Sequence, residues 1–261
     1  MMTEKDFGVC RLSVVPIREE AGKGAQVSQL LFGDAYEVLD RSKDKQHLFI
    51  KTNYDEVNGW IDLNHHYSIA LEYFEQITQS DYKISLDLVS TLLYKKSPLP
   101  IVLGSIVPIS SSELFKMDEQ FAFNGETKAI SLKRDGDYIK TIATKYLNAP
   151  EVEGGKNPFG ICSNGLVHIA FKIAGHQLPW AVKQQNEFCT EVDFVSIKTG
   201  DLGFFKSKKG NVNHVGIFVG DNKIIHAHGH VRIDHFDEKG IFNPDTKIYS
   251  HTLASVRRVL N

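Results

Sequence analysis

Two textures of apolar and polar positions divide the 261-residue chain. From Cys10 to about Asp62, apolar and polar residues alternate in the short runs CRLSVVPIRE, SQLLFGDAYEVLD, HLFIKT and VNGWIDL, with polar or glycine-containing turns between them. A period of two places one face of each run in a core and the other toward water, so this part reads as a small antiparallel β-barrel. From Tyr82 to Ile130 the runs YKISLDLVS, PIVLGSIVPIS and QFAFNGETKAI are again strand-like. They form either a second, more divergent barrel or an irregular extension that packs the first barrel on the last domain.

Near Asp137 the period changes. DYIKTIATKYLNAP carries apolar residues at helical spacing and is stopped by Pro150. A glycine-rich turn, EGGKNPFGI, leads into a helix expected from about Ser163 to Ala174, with Leu166, Val167, Ala170, Phe171 and Ile173 as its apolar face and Gly175 as its stop. DLGFFKS, HVGIFVGDNKIIHAHG and VRID then read as an antiparallel meander with GDNK as a hairpin turn. The chain is expected to divide into a barrel over 1–66, a second barrel or linking region over 67–134, and an α+β domain over 135–261.

Composition narrows the function classes. A formal charge of −2 with mixed signs along the chain offers no basic stripe, so nucleic acid is not an expected partner. Cys10, Cys162 and Cys189 are odd in number, far apart and without metal-type spacing, which argues against a disulfide framework and against zinc. A reducing, cytoplasmic setting is expected. MMTEKDFGVC lacks an apolar run of signal-peptide length, and no segment approaches the length that spans a bilayer, so no membrane partner is expected.

The order of a glycine-rich turn, a helix with a reactive residue at its start, GDLGFF, NHVGIFVGDNKIIHAHG and the closing VRRVL resembles the NlpC-type cell-wall peptidases, papain-like cysteine hydrolases of bacterial peptidoglycan. The likeness covers almost all of the last domain. The opening region resembles the bacterial SH3-type module, a usual companion of this family. The resemblance implies an α+β, papain-like hydrolase domain preceded by one or two small SH3-type β-barrels and a short muropeptide as partner; no cofactor is expected.

In such a site a thiolate at a helix N-terminus is stabilised by unpaired backbone N–H groups and the helix dipole, and a histidine on a facing strand completes the pair. His214 opens the HVGIFVG strand and fits the base; His226, across the GDNK turn, fits the orienting residue. The helix start departs from the family pattern. Family members usually read Gly-Ile-Asp-Cys-Ser-Gly-Phe-Val-Gln, and the chain reads GICSNGLVH over the same length. Without a gap, Cys162 takes the aspartate position, Ser163 the nucleophile position and Asn164 that of the next serine. One helical residue turns a side chain by about 100°, which points Cys162 away from His214. Ser163 is a poor substitute, since its hydroxyl is far less acidic than a thiol, and is read as a helix N-cap; Cys162 is read as a small, semi-buried apolar residue.

Other pocket positions differ in the same direction. Glu151 and Glu153 stand where relatives carry aromatics, Trp180 and Ala181 stand where they carry Arg-Asp, and the exchange of aspartate for Cys162 removes a carboxylate that grips a peptide amine. Glu153, Asn164, Trp180 and Ala227 are the expected substrate-binding positions; Cys162, Ser163, His214 and His226 are the catalytic ones. Three readings follow: a family member with catalysis lost or altered, an active muropeptide-recycling peptidase using Cys162 with His214, and a non-catalytic module that binds a peptide or an unidentified protein. His168 and His176 are candidates by type only, expected to face solvent or the module interface. Alternation would put His226, His228 and His230 on one face, but without a nearby cysteine or carboxylate pair no metal site is expected.

Overall fold

The structure is a computed structural model that describes residues 6–107, 121–207 and 209–260. Residues 1–5 of the N-terminal stretch and residues 108–120 of the second strand-like region lie outside the described residues. Two compact units are present: one takes the chain up to Leu132 together with Glu153–Pro158, the other Lys133–Val152 and the chain from Phe159 onward.

In the first unit, strands Asp6–Val9, Val14–Glu20, Lys23–Leu31, Ala35–Arg41, His47–Thr52, Asn58–Asp62 and Ser68–Ile69 form one antiparallel sheet wrapped on a core that includes Val15, Ile17, Leu30, Tyr36, Leu48, Ile50 and Ile61. HLFIKT shows why: its residues alternate between half-buried and buried, as the period of two requires. Helix α1 (Leu71–Gln79) follows, within the stretch expected to be strands or linker, and its Phe74 packs against Phe7 with ring centroids 4.4 Å apart and planes tilted by 30°. Two three-stranded sheets complete the unit, one of Ser97–Val102, Val89–Tyr94 and Phe121–Asn124, the other of Ile106–Val107, Lys83–Ser85 and Thr127–Ala129.

The segment Glu153–Pro158 is fastened into this unit by buried polar contacts. Lys156 Nζ lies between Asp34 (3.3 Å) and Asp55 (2.5 Å), and Gln29 Oε1 accepts from both Lys156 N and Asn157 Nδ2 at 2.9 Å. Burial alone would favour a neutral lysine; the two carboxylates outweigh it and raise the Lys156 pKa. Gly154 is required here, since it has φ +66° and a Cβ would lie 2.3 Å from the Gln26 carbonyl oxygen.

The second unit is α+β. Helix α2 (Gly136–Thr144) is capped by Asp135, whose carboxylate accepts from Tyr138 N at 3.0 Å. It ends well before Pro150, the expected stop. Asn148 turns into the left-handed region (φ 69°), and the chain after it is drawn onto a strand: Asn148 N donates to Val231 O, and Val231 N to Ala149 O. Helix α3 (Ser163–Ile173) is buried along most of its length and packs on α2. It closes in a Schellman motif, with His176 N donating to Phe171 O and Gly175 N to Lys172 O, which puts Gly175 at φ 83°. Gly175→Ala is therefore expected to cost about 1 kcal/mol in urea unfolding, since an alanine pays a steric penalty in that region. Helix α4 (Val182–Phe188) is short.

The strands Leu202–Lys206, Val212–Gly220, Lys223–His228, His230–Asp237, Gly240–Asn243 and Ile248–Arg258 pair in chain order, and the last pairs with both the first and the fifth, so the ring closes. The GDNK hairpin has Asp221 (φ 51°) and Asn222 (φ 53°) both left-handed, the conformation of the two-residue turn that matches strand twist. Gly203 and Gly216, on adjacent strands, both yield to Ile224, which a Cβ on either glycine would approach to 3.0 and 2.9 Å. Among the described residues, no helix is long and apolar enough to cross a membrane.

Candidate active site

Helix α3 packs on the two strands that carry His214 and His226. At its start Cys162 is the N-cap: its backbone is extended (φ −98°, ψ 171°), its carbonyl accepts the first helical bond from Leu166 N, and its side chain makes no capping bond. Ser163, expected as the N-cap, is instead the first helical residue and is buried. The shift by one residue follows from Cys162 keeping strand-like angles after the short strand Gly160–Ile161.

Asn164 gives the Cys162 thiol its surroundings. Its Nδ2 donates to the Trp180 carbonyl at 3.0 Å, and a carbonyl can only accept, so Oδ1 must be the amide atom turned to Cys162 Sγ, 3.2 Å away. An acceptor beside sulfur favours the protonated thiol and disfavours the anion. His168 does not face solvent, as expected from sequence, but is 1% exposed and packs edge-on against Trp180 at 5.4 Å. The α3 face that carries it is buried nearly all round, which its apolar periodicity understates.

The histidines form a directed relay. The register pairing Ile217 with Ile225 gives His214 and His226 the same side-chain face, and His214 Nε2 lies 2.9 Å from His226 Nδ1. His226 Nε2 lies 3.1 Å from Asp234 Oδ2, and Asp234 is fully buried and held by Arg232 through Nε (3.0 and 2.9 Å) and an amino nitrogen (2.8 Å). Arg232 also reaches Asp245 at 2.8 Å. These contacts assign the tautomers. Burial pushes the Asp234 pKa up, but the hydrogen bonds from His226 and Arg232 outweigh it and hold the carboxyl ionised, below its ordinary value. A carboxylate only accepts, so His226 carries its proton on Nε2 and presents a bare Nδ1. His214 therefore donates from Nε2, and its Nδ1 is the lone-pair nitrogen left to take a proton or an N–H.

Burial, then repulsion from His251, His226 and His228, lowers the His214 pKa well below 6.5; burial also lowers that of His226, against the pull of Asp234. His251, on the long last strand, lies flat on His214 with ring centroids 3.9 Å apart and planes at 18°. Its pKa is pushed down to about 4, first by burial and then by His226 and His228.

Of the residues expected at the site, Cys162, Ser163, Asn164 and Trp180 meet at the start of α3, and His214 and His226 form the dyad. Glu153 belongs to the other unit, where its carbonyl accepts from Gln26 Nε2. Ala227, backbone included, is fully buried, its side chain on the sheet face opposite His226, so it offers no surface to a ligand. Glu151 caps a turn, its carboxylate accepting from Gly229 N at 2.7 Å. Asp234, Arg232 and His251 were not singled out in the sequence; the alternating polar residues of HVRIDHFD were the available signal for the first two.

A helix whose N-terminus carries the reactive position, packed on strands that bear an ordered histidine pair, is the arrangement of papain-like hydrolases. The comparisons agree. The sequence profile of the NlpC/P60 family matches residues 151–250. A probable endopeptidase of Haemophilus influenzae is 35% identical over 115 residues, 41% of this chain and 71% of that protein. The gamma-D-glutamyl-L-lysine dipeptidyl-peptidase of Bacillus subtilis is 28% identical over 163 residues, and the chain spans 54% of its length. A crystal structure of an NlpC/P60 family protein from Bacillus cereus superposes with a TM-score of 0.76 at 18% identity, covering 99% of this chain and 100% of that one, which shows the shared fold. The chain belongs to the NlpC/P60 family.

Proposed function

We propose that the protein recognises peptidoglycan-derived peptides of the γ-D-glutamyl-diamino acid type and that family-type hydrolysis is lost or altered at the nucleophile position. The observation that carries this reading is the Cys162 thiol turned toward Asn164 Oδ1, beside a serine at the first helical position. Neither arrangement supplies a stabilised thiolate. With no thiol proton to take, His214 Nδ1 serves as an acceptor for an N–H of the bound peptide. The substrate class rests on relatives named as a gamma-D-glutamyl-L-lysine dipeptidyl-peptidase and a murein endopeptidase. The first 66 residues are proposed to be an SH3-type barrel, residues 67–134 a second one or a linking region, and a cytoplasmic role on cell-wall fragments is proposed with them.

One observation favours the second reading, an active peptidase that uses Cys162: the relay from Asp234 to His214 is complete and ends in a bare nitrogen. Incubation with L-Ala-γ-D-Glu-diaminopimelate, followed by mass spectrometry and calorimetry, separates the two. The expected result is saturable binding without product from the natural sequence, binding weakened by His214→Ala, and cleavage gained in Ser163→Cys. Product that disappears in both Cys162→Ala and His214→Ala establishes the shifted nucleophile instead. Absence of both binding and product overturns the peptide reading.

A further inference from the structure

The dyad is part of a larger group of imidazoles that the sequence does not reveal. His251 arrives from the last strand, far from the HAHGH run, and one ligand nitrogen from each of His214, His226 and His251 lies within 4.8 Å of the others. The expectation that no metal binds rests on the absence of a cysteine or carboxylate pair near His226, His228 and His230. The fold supplies a carboxylate in Asp234 and, beside His226, two other histidines, His214 and His251.

We propose that His214, His226 and His251 form a zinc site. Each requirement of such a site has a counterpart. His226 donates Nε2–H to the buried Asp234 carboxylate at 3.1 Å and turns Nδ1 inward, which is the carboxylate-histidine support that zinc ligands commonly have. His251 contacts Ser250 Oγ through Nδ1 at 2.9 Å, leaving Nε2 for the ion. His214 Nε2, 2.9 Å from His226 Nδ1, is the third ligand. Zinc–nitrogen bonds of about 2.0–2.1 Å at tetrahedral angles put the ring centroids about 5 Å apart. The His214–His226 pair is at 5.1 Å and the His226–His251 pair at 5.7 Å. The His214–His251 stack, at 3.9 Å with planes at 18°, must open by roughly 1 Å and the His251 ring must also turn, because each lone pair lies in its ring plane and two face-to-face rings do not converge on one ion. Three neutral imidazoles leave the fourth position of a tetrahedral ion open, as in a ligand-binding rather than a closed structural site.

Binding changes the dyad. The ion takes the place of the proton between His214 and His226, and that proton moves to His214 Nδ1, so no proton is lost from the ring and Nδ1 becomes a donor. The nitrogen that accepts from a ligand in the metal-free protein is thereby closed to that use. The site stands whether or not a peptide is cut, because its test reads the metal.

Chelator-stripped protein of residues 1–261 is titrated with ZnCl2 by calorimetry, and the visible spectrum is recorded with Co2+ in place of zinc. One ion per chain is expected, with the intense absorption of tetrahedral cobalt. His251→Phe, which keeps an aromatic ring on His214 but removes the donor nitrogen, is expected to weaken zinc by more than about tenfold. His230→Ala is expected to bind as the natural sequence does. Circular dichroism establishes that both variants are folded, and His251→Gln repeats the comparison if His251→Phe is not. No saturable zinc binding, equal affinity after loss of His251, or a loss confined to His230→Ala overturns the proposal.

Discussion

Asp234→Asn is expected to reverse the tautomers of both dyad histidines and to cost about 3 kcal/mol in stability. Asp234 is fully buried and accepts at once from His226 Nε2 and from Arg232. Asparagine has the same shape but offers one oxygen and one NH2. If the oxygen stays with Arg232, which can only donate, the NH2 faces His226 Nε2 and forces it to accept. The His226 proton then moves to Nδ1 and donates to His214 Nε2, and the His214 proton moves to Nδ1. His214 Nδ1 is thereby lost as an acceptor without any change in side-chain positions. Nitrogen chemical shifts of 15N-histidine protein, measured with chelator present, check this directly: His214 Nδ1 is expected to be unprotonated in the natural sequence and protonated in Asp234→Asn. Identical shifts in the two proteins would show that Asp234 does not order the dyad. The stability cost reflects an Arg232 that loses its buried anion while Asp245, exposed, remains as its partner. Urea unfolding reads it separately from the tautomer.

What could be read from the sequence was local. The GDNK turn requires two left-handed residues, and Asp and Asn are types that tolerate this conformation, so four residues were enough to announce the hairpin. The helix over 163–173 was legible from its apolar spacing and from Gly175, which closes it. The hairpin then brought His214 and His226 together, because two strands joined by a short turn have their register set by that turn. Asp234 and His251 needed more. Asp234 reaches His226 through pairing of the next strand, and His251 through a last strand that pairs across the ring with Gly240–Asn243 and Leu202–Lys206. The pairing of the last strand with Leu202–Lys206 has no turn of its own in the sequence, whereas Asp234 lies eight residues from His226 across the reversal at Gly229, a turn that the alternation along VRID did not by itself reveal. The end of α2 differs for a related reason: after Thr144 the bonds of Lys145, Tyr146 and Leu147 tighten to three-residue turns, and from Asn148 on the chain is held by Val231 and Gly229. At the helix start, Cys162 and Ser163 differ by a single position of backbone conformation, which residue type alone does not decide.

The same burial that keeps the histidines neutral makes the second unit acid-labile. His214, His226 and His251 all have pKa values below 6.5 in the folded protein, His251 at about 4, with burial the leading cause in each. A depressed histidine pKa means that the folded state binds protons more weakly than the unfolded chain. The stabilisation is therefore complete above about pH 6.5 and is lost as the pH falls through the interval down to the folded values. Asp234, whose pKa is also depressed, adds a loss of the same sign only below about pH 4. Each histidine that stays neutral while its unfolded counterpart is charged gives a slope of about 1.4 kcal/mol per pH unit, so three give up to about 4. Trp60 and Trp180 are the two tryptophans, so in a Trp60→Phe background the fluorescence of Trp180 follows the second unit alone. Urea unfolding at pH 7.5, 6 and 5 with EDTA present is expected to show stability falling steeply between the last two. His251→Phe keeps a ring on His214 and removes one titrating group, so its slope is expected to be shallower by as much as a third. A stability that stays level or rises toward pH 5 would mean that the imidazoles take up protons in the folded state, and the relay that leaves His214 Nδ1 bare would then operate only above that pH.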